Sequence, residues 1–314
     1  MKIAFLDDWT SSAARYVDAH PLASSHDITI FTDHLTGDAL CERLKPFDII
    51  CLMRERTVLN ADLVAKLPQL KAVITSGMRN AAIDVEACTA AGISVSGTPS
   101  PGHATAELAM SLIGAMARNI VANHNDMTAG RWQSVAGRDL RGATLGILGL
   151  GRLGSVIAEL GKAYGMNVVA WSQNLTQEAA AEKGVTYLPR DAFFAQSDFI
   201  SIHLKLSKRV IGLVDEAAFK QMKPSAYIVN TSRAQIIDET ALIAALRNGV
   251  IAGAAIDVYS QEPLPADHQL RDVPNLLLSP HIGYVTQETM AVFYGETLNA
   301  IEAFIQGTPI RLLS

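Results

Sequence analysis

The chain is poor in cysteine, in charged side chains and in aromatic rings, and it lacks any long apolar run. Cys41, Cys51 and Cys88 are the three cysteines among 314 residues. They form no CxxC pair, which argues against a disulfide framework, a zinc ribbon or a redox dithiol. They are expected to be reduced, mostly buried thiols. No His/Cys/Asp spacing suggests a metal site. No stretch approaches the ~18 consecutive apolar residues of a membrane span. The start turns acidic at Asp7 and Asp8 after the apolar run Ile3–Leu6, too short for a signal-peptide core. The expected location is therefore the cytoplasm. A basic surplus is also missing: 26 Lys+Arg against 31 Asp+Glu leave a net charge of −5. This argues against a nucleic-acid protein held by a broad basic surface, because phosphate binding needs clustered cations. Only 18% of residues are charged while 49% are hydrophobic, which excludes a disordered chain.

Short apolar runs alternate with helical patterns almost throughout. Ile3–Leu6, Ile28–Phe31, Ile49–Met53, Ala72–Thr75 and Ile93–Ser96 read as buried strands, and Asp38–Leu44 and Asn60–Leu67 as helices. Such alternation implies an α/β chain with helices on both faces of a parallel sheet. A turn-rich break, Ser96–Gly102, then reads as a domain boundary. The apolar-periodic stretch from His103 to Met127 reads as one long helix, an interdomain element. A second series follows, with strands Thr144–Leu148, Asn167–Trp171, Val185–Leu188, Phe199–Ile202, Tyr227–Asn230, Ile251–Ala255 and Leu276–Leu278. Helical patterns at Arg152–Tyr164, Glu239–Asn248 and Thr286–Gln306 lie between and after them. At ~150 residues per domain, the length suggests two domains.

The second series opens with a strand that runs into Gly149-Leu150-Gly151-Arg152-Leu153-Gly154 and then into a helix. This is the layout a dinucleotide pyrophosphate needs. Gly149 permits the tight turn, Gly151 lets backbone approach the phosphates, and Gly154 allows close helix–sheet packing. The helix N-terminus adds unpaired N–H groups and a positive dipole end. A glycine-rich turn without a ligand is the plainer alternative, but it leaves the strand–motif–helix order unexplained. The fingerprint also expects an acidic residue about 20 positions on, bound to the ribose 2′-hydroxyl. None is present: Ser172 occupies the place, followed by Gln173 and Asn174. A missing carboxylate removes a repulsion against a 2′-phosphate, yet no Arg follows directly to bind one. NAD and NADP both remain open.

Three later strand ends carry polar residues: Asn230-Thr231-Ser232-Arg233, Asp257–Leu264 with Glu262, and Ser279-Pro280-His281-Ile282-Gly283. Singly, each has a dull explanation: a surface ion pair, a loop carboxylate, a satisfied structural histidine. Together they supply what hydride transfer between a 2-hydroxy acid and nicotinamide requires. A cation binds the carboxylate, a near-neutral acid/base handles the hydroxyl proton, and an anion keeps that base basic and oriented.

On these segments, in this order and spacing, the chain resembles the D-2-hydroxyacid dehydrogenase family, which includes glyoxylate/hydroxypyruvate reductases and phosphoglycerate dehydrogenases. Ala106-Glu107-Leu108-Ala109 and Gly130-Arg131-Trp132 also look like the family pattern. The resemblance implies a role for each matching residue. Arg233 would bind the substrate carboxylate and polarise the C2 carbonyl. His281 would exchange the proton with the C2 oxygen, and Glu262 would hydrogen-bond His281. Thr231 and Asp257, with Gly283 beside them, would contact the nicotinamide end of the cofactor. Arg152 and Leu153 would sit over the pyrophosphate.

The resemblance also implies two doubly wound parallel-sheet domains with the active site in the cleft between them, and usually a homodimer. Residues 1–100 and 285–314 would form a discontinuous, flavodoxin-like substrate domain, and 101–284 an inserted Rossmann domain. Two domains take up the 314 residues, so no appended regulatory domain is expected. Substrate contacts are expected from Arg54 and from backbone N–H groups around Gly77 and Met78. Arg56 and Arg79 are equally well read as ordinary surface pairs. Lys205 stands where relatives have proline and could meet a 2′-phosphate, with Lys208 and Arg209 nearby. A solvated charge run is the plainer reading. His103 and His124 are expected to pack between domains.

The function expected is hydride transfer between NAD(P)(H) and a small D-2-hydroxy or 2-oxo acid. A different class, a cofactor-sensing corepressor of the same fold with little turnover, is the alternative. The intact Arg233, Glu262 and His281 set argues against it. A formate dehydrogenase is disfavoured because that pattern puts Gln where Glu262 stands.

Overall fold

A computed structural model describes residues 1–314 and divides them into two compact units, Met1–Pro101 with Thr286–Ser314, and Gly102–Val285. No helix is long and apolar enough to cross a membrane.

The first unit holds five strands, β1 (Lys2–Phe5), β2 (Asp27–Ile30), β3 (Ile49–Leu52), β4 (Ala72–Thr75) and β5 (Ser94–Gly97), in the order β2-β1-β3-β4-β5. All pairs are parallel. β3 and β4 are buried along their whole length, as expected of strands covered on both faces. The core gathers Ala4, Ile50, Leu52, Val73 and Val95 with helix residues Leu40, Leu44 and Val64. The last helix, Gln287–Ile305, returns to this unit. Its Tyr294 hydroxyl donates to Asp8 Oδ1 at 2.8 Å. Cys41, Cys51 and Cys88 are all buried and free. Burial raises the thiol pKa of Cys51, and that of Cys88 to about 11, so neither is a ready nucleophile.

The second unit has seven strands: β6 (Thr144–Leu148), β7 (Asn167–Trp171), β8 (Thr186–Tyr187), β9 (Phe199–Ile202), β10 (Tyr227–Asn230), β11 (Gly253–Ile256) and β12 (Leu276–Leu278). Their order is β12-β11-β10-β9-β6-β7-β8, again parallel. The order reverses at β6 and β9, the switch point where such sheets leave a crevice at their carboxyl ends. Phe193, Phe194, Phe199 and Phe219 are fully buried and anchor the two faces. The parallel pairing is that expected from the alternating pattern, and the two doubly wound sheets are those the family resemblance implied.

The single helix expected over His103–Met127 is corrected. The chain forms two helices, Ala104–Ala117 and Ile120–Thr128, separated at Asn119. Asn119 adopts the left-handed conformation (φ 49°), which asparagine tolerates better than most residues. Its side-chain amide donates to Ala136 O at 2.8 Å and holds the corner. The apolar periodicity runs straight across this break because it reports faces, not continuity. Ala104–Ala117 packs on the helix Arg152–Ala163 and on β10 and β11. Ile120–Thr128 buries none of its residues.

Candidate active site

The glycine loop leaves β6 at the switch point. Gly149 has φ +103°, a conformation L side chains rarely adopt, and a Cβ there would fall 2.9 Å from His203 O. Gly154 is tighter: a Cβ would meet Gly149 O at 2.1 Å. At Gly151 a Cβ would meet nothing within 4 Å, so the loop is open on the side where a ligand's phosphates would approach. The helix Arg152–Ala163 begins here with no side-chain cap. Its first N–H groups are therefore available to an anion. The Arg152 guanidinium lies against Gly102, where a Cβ would be 2.3 Å from Nη1. Leu153 packs toward the core beside Ala158 and Ile157. His203, next to the loop, is buried; desolvation lowers its pKa to about 4, and its Nε2 bonds the Ser201 hydroxyl at 2.8 Å.

At the end of β10, Asn230 organises the turn that carries Arg233. Its side chain accepts from Ser232 N at 3.0 Å and donates to Arg233 O at 2.9 Å. Thr231 Oγ1 is buried without a hydrogen-bond partner. A buried hydroxyl left unpaired is costly, so its position fits a polar ligand group. Together with the open glycine loop and uncapped helix, it makes the residues present a fit for a dinucleotide.

β11 and β12 supply the ionisable pair. His281 Nδ1 and Glu262 Oε2 are 2.6 Å apart. Glu262 Oε1 accepts from Tyr259 N at 2.9 Å. Burial alone would raise the Glu262 pKa. The His281 hydrogen bond and charge, the Tyr259 N–H and the Arg233 charge outweigh it and hold the carboxyl below its ordinary value. An ionised carboxylate only accepts, so Nδ1 carries a hydrogen and Nε2 is left for other chemistry. The His281 ring meets Tyr284 edge-on at 5.6 Å between centroids.

His281 itself sits at φ 55°, uncommon for a side-chain-bearing residue. Asp257 explains how it is held. Its Oδ1 accepts from the Ser279 hydroxyl at 2.5 Å and from Ile282 N at 2.9 Å, and its Oδ2 from Gly283 N at 2.8 Å. Burial nonetheless raises its pKa, against the pull of those bonds and of the His281 charge. The family resemblance implied a cofactor contact for Asp257 and Gly283; the structure bonds them to each other around the histidine turn. Asp257→Asn keeps one acceptor oxygen but turns an NH2 toward a backbone N–H, leaving a buried donor unpaired. The expected result is a kcat about 10–100-fold lower, on the ~1–3 kcal/mol cost of such a loss. A parental kcat in this variant would reject the clamp.

Tyr259 escaped sequence reasoning. Its hydroxyl donates to Ser279 O at 2.8 Å while its N–H holds Glu262, so it links both partners of the pair. Burial pushes its pKa up to about 12, which keeps it a donor. The only available signal was its place between Asp257 and Glu262.

In the first unit, Arg54 follows β3 at φ 53°. Its Nη1 donates to Ser76 O at 3.0 Å, and Nη2 lies 3.5 Å from Glu55 Oε2. The Gly77 N–H, expected to be open to a carboxylate, is instead taken by the Thr98 hydroxyl at 2.9 Å. That expectation is corrected; the neighbouring Met78 N–H has no partner within the protein. Arg56 is not a rim charge: it stacks over Trp9 at 4.1 Å and donates to Asp7 O at 2.5 Å. Arg79 is exposed. Sequence reading also missed Asp7, buried at the end of β1 between His34 Nδ1 at 2.8 Å and the Thr57 hydroxyl at 2.5 Å. His103 is exposed and lies 4.0 Å from Glu107, and His124 is exposed.

The sequence profile of the D-isomer specific 2-hydroxyacid dehydrogenase, NAD binding domain, matches residues 110–283. The chain belongs to the D-isomer specific 2-hydroxyacid dehydrogenase family. A glyoxylate reductase of Aeropyrum pernix is 40% identical over 262 residues, which cover 79% of this chain and 77% of that protein. The crystal structure of a phosphoglycerate oxidoreductase from Vibrio cholerae is 35% identical, with a TM-score of 0.91 over 98% of this chain and 99% of that one. The apo-structure of a D-lactate dehydrogenase from Escherichia coli is 25% identical, with a TM-score of 0.85 over 100% of both chains. As a D-2-hydroxyacid dehydrogenase, this chain is an oxidoreductase that uses a nicotinamide cofactor. Its second unit has the Rossmann strand order, with the Gly149–Gly154 loop at the switch point.

Proposed function

We propose that this dehydrogenase reduces a small 2-oxo acid to the D-2-hydroxy acid, with His281 as the proton donor. The observation that carries the reading is the 2.6 Å contact between His281 Nδ1 and an ionised Glu262. When bound, the reduced nicotinamide would supply hydride to C2. Gly149, Gly151, Arg152, Leu153 and Gly154 would hold the pyrophosphate, and Thr231 the nicotinamide end, with Ser172 at the ribose. Arg233 binds the carboxylate and draws electron density toward the C2 oxygen. His281 donates its Nε2 proton to that oxygen, while Glu262 and Tyr259 fix the ring that delivers it. In oxidation the same nitrogen takes the proton back.

Arg54 and the Met78 N–H are assigned to substrate recognition. The glyoxylate reductase relatives favour a short acid such as glyoxylate. A matrix of 2-oxo acids against NADH and NADPH, scored as kcat/KM, tests the reading. Dinucleotide oxidation with at least one short 2-oxo acid is expected; none with any acid overturns it.

We also assign a homodimer. Ile120, Val121 and Met127 are exposed on a helix with no buried residue, and Trp132 beside it is 75% exposed. Such apolar area is characteristic of an association surface. Light scattering should give twice the 33.7 kDa chain mass, and Trp132→Glu should shift it toward one chain. A monomeric parent protein would refute the assignment.

A further inference from the structure

A cavity of about 360 Å³ lies at the carboxyl end of β7, lined by Ser172, Gln173, Leu204, Lys205, Ser207 and Arg209 among others. In a dinucleotide-binding sheet, this strand end is where the adenosine ribose is recognised. A carboxylate there bonds the 2′-hydroxyl and repels a 2′-phosphate. The lining holds no Asp or Glu but two cations, Lys205 and Arg209.

Lys205 and Arg209 are cations that the sequence offered as neighbours of a 2′-phosphate. They do not follow β7, where the sequence offers only Ser172, Gln173 and Asn174. They come from the segment after β9, folded over to the β7 end. Two contacts tie the segments together: Gln173 Nε2 donates to Arg209 O at 3.2 Å, and Arg209 Nη1 reaches Asn174 Oδ1 at 3.5 Å. Lys205 forms no ion pair or hydrogen bond within the protein. Its charge, and that of Arg209, are thus uncompensated by any protein carboxylate, in a chain whose net charge is −5. Hydroxyls of Ser172 and Ser207 add neutral donors to the same wall.

We propose that this cavity is a 2′-phosphate subsite, so that the enzyme takes NADP(H) in preference to NAD(H). The proposal rests on the nicotinamide-dependent reading above and names the form of cofactor that reading leaves open. A phosphomonoester brings nearly two negative charges and several acceptor oxygens to a wall built of cations and hydroxyls.

Equilibrium titration of the purified full-length chain tests this without turnover. NADPH is expected to bind at least tenfold more tightly than NADH, and adenosine 2′,5′-bisphosphate more tightly than AMP. Raising the salt concentration should weaken NADPH more steeply than NADH. The double variant Lys205→Ala, Arg209→Ala should bring the two dinucleotide affinities together by weakening NADPH. The Gln173 bond to the Arg209 carbonyl survives that truncation, and a melting curve checks that the fold does too. NADH binding as tightly as NADPH to the parent chain overturns the proposal, as does a double variant that weakens both equally. If NADPH is preferred but no 2-oxo acid consumes it, the substrate reading fails and the subsite stands. If acids are reduced with NADH preferred, the subsite fails and the reaction stands. If neither dinucleotide binds, both fail.

Discussion

Replacing His281 with glutamine is expected to lower kcat for 2-oxo acid reduction by roughly 10²- to 10⁴-fold, the usual worth of a positioned acid/base. Glutamine can still occupy the turn and bond Glu262, but it has no proton to give at neutral pH. Dinucleotide affinity should change little, because the glycine loop lies on another strand end. The variant also alters its neighbour. Without the imidazole charge, one of the causes that lower the Glu262 pKa is lost, so that pKa should move upward. In the parent protein the opposite holds. A carboxyl whose folded pKa is depressed adds stability above its ordinary value of 4.5 and loses it as pH falls through the lower folded value. Glu262 thus contributes fully at neutral pH, and protonating it is not expected to limit turnover above about pH 5. Stopped assays across pH, run on both proteins, check this: turnover by His281→Gln at the parental rate contradicts the assigned role.

Replacing Arg233 with alanine is expected to cost roughly 10²- to 10³-fold in kcat/KM, or ~2.7–4 kcal/mol of transition-state binding. Charge-assisted bonds from a guanidinium to a carboxylate account for most of it, and the polarisation of the C2 oxygen for the rest. Both KM and kcat should suffer, unlike in His281→Gln, where the loss falls on kcat. Lysine at this position keeps the charge but not the fork, and should recover only part of the activity. A purely structural Arg233 would instead show lower thermal stability with unchanged kcat/KM in the folded fraction.

How much of this was legible in the sequence follows from how locally each feature is determined. β6, β9 and β10 were readable because each is a short apolar run with turn residues at its ends, buried on both faces. The glycine loop was readable because its demands are steric and fall within a few residues. The corner at Asn119 was not, since a left-handed residue in an apolar-periodic stretch is settled by the distant Ala136 carbonyl. The Gly77 N–H was misjudged for the same reason: Thr98, from the far end of β5, occupies it. Asp257 stood out in the sequence as a candidate, but its bonds to Ser279, Ile282 and Gly283 join positions 22 to 26 apart and need β11 beside β12. Arg209 could be read in the sequence either as a neighbour of a 2′-phosphate or as part of a charge run, because its place beside Gln173 depends on the chain after β9 folding toward the β7 end.

Gly283 packs so closely on Thr105 that a Cβ there would meet Thr105 Cγ2 at 3.1 Å. The two ends of the Gly102–Val285 unit therefore meet side by side. A segment whose ends touch can be spliced into a surface turn of another chain, or lifted out and joined tip to tip, with a linker of a few residues. The unit also carries Arg233, Glu262 and His281 together with the glycine loop. Any such transfer would carry the Gly149–Gly154 loop and the His281–Glu262 pair in one piece.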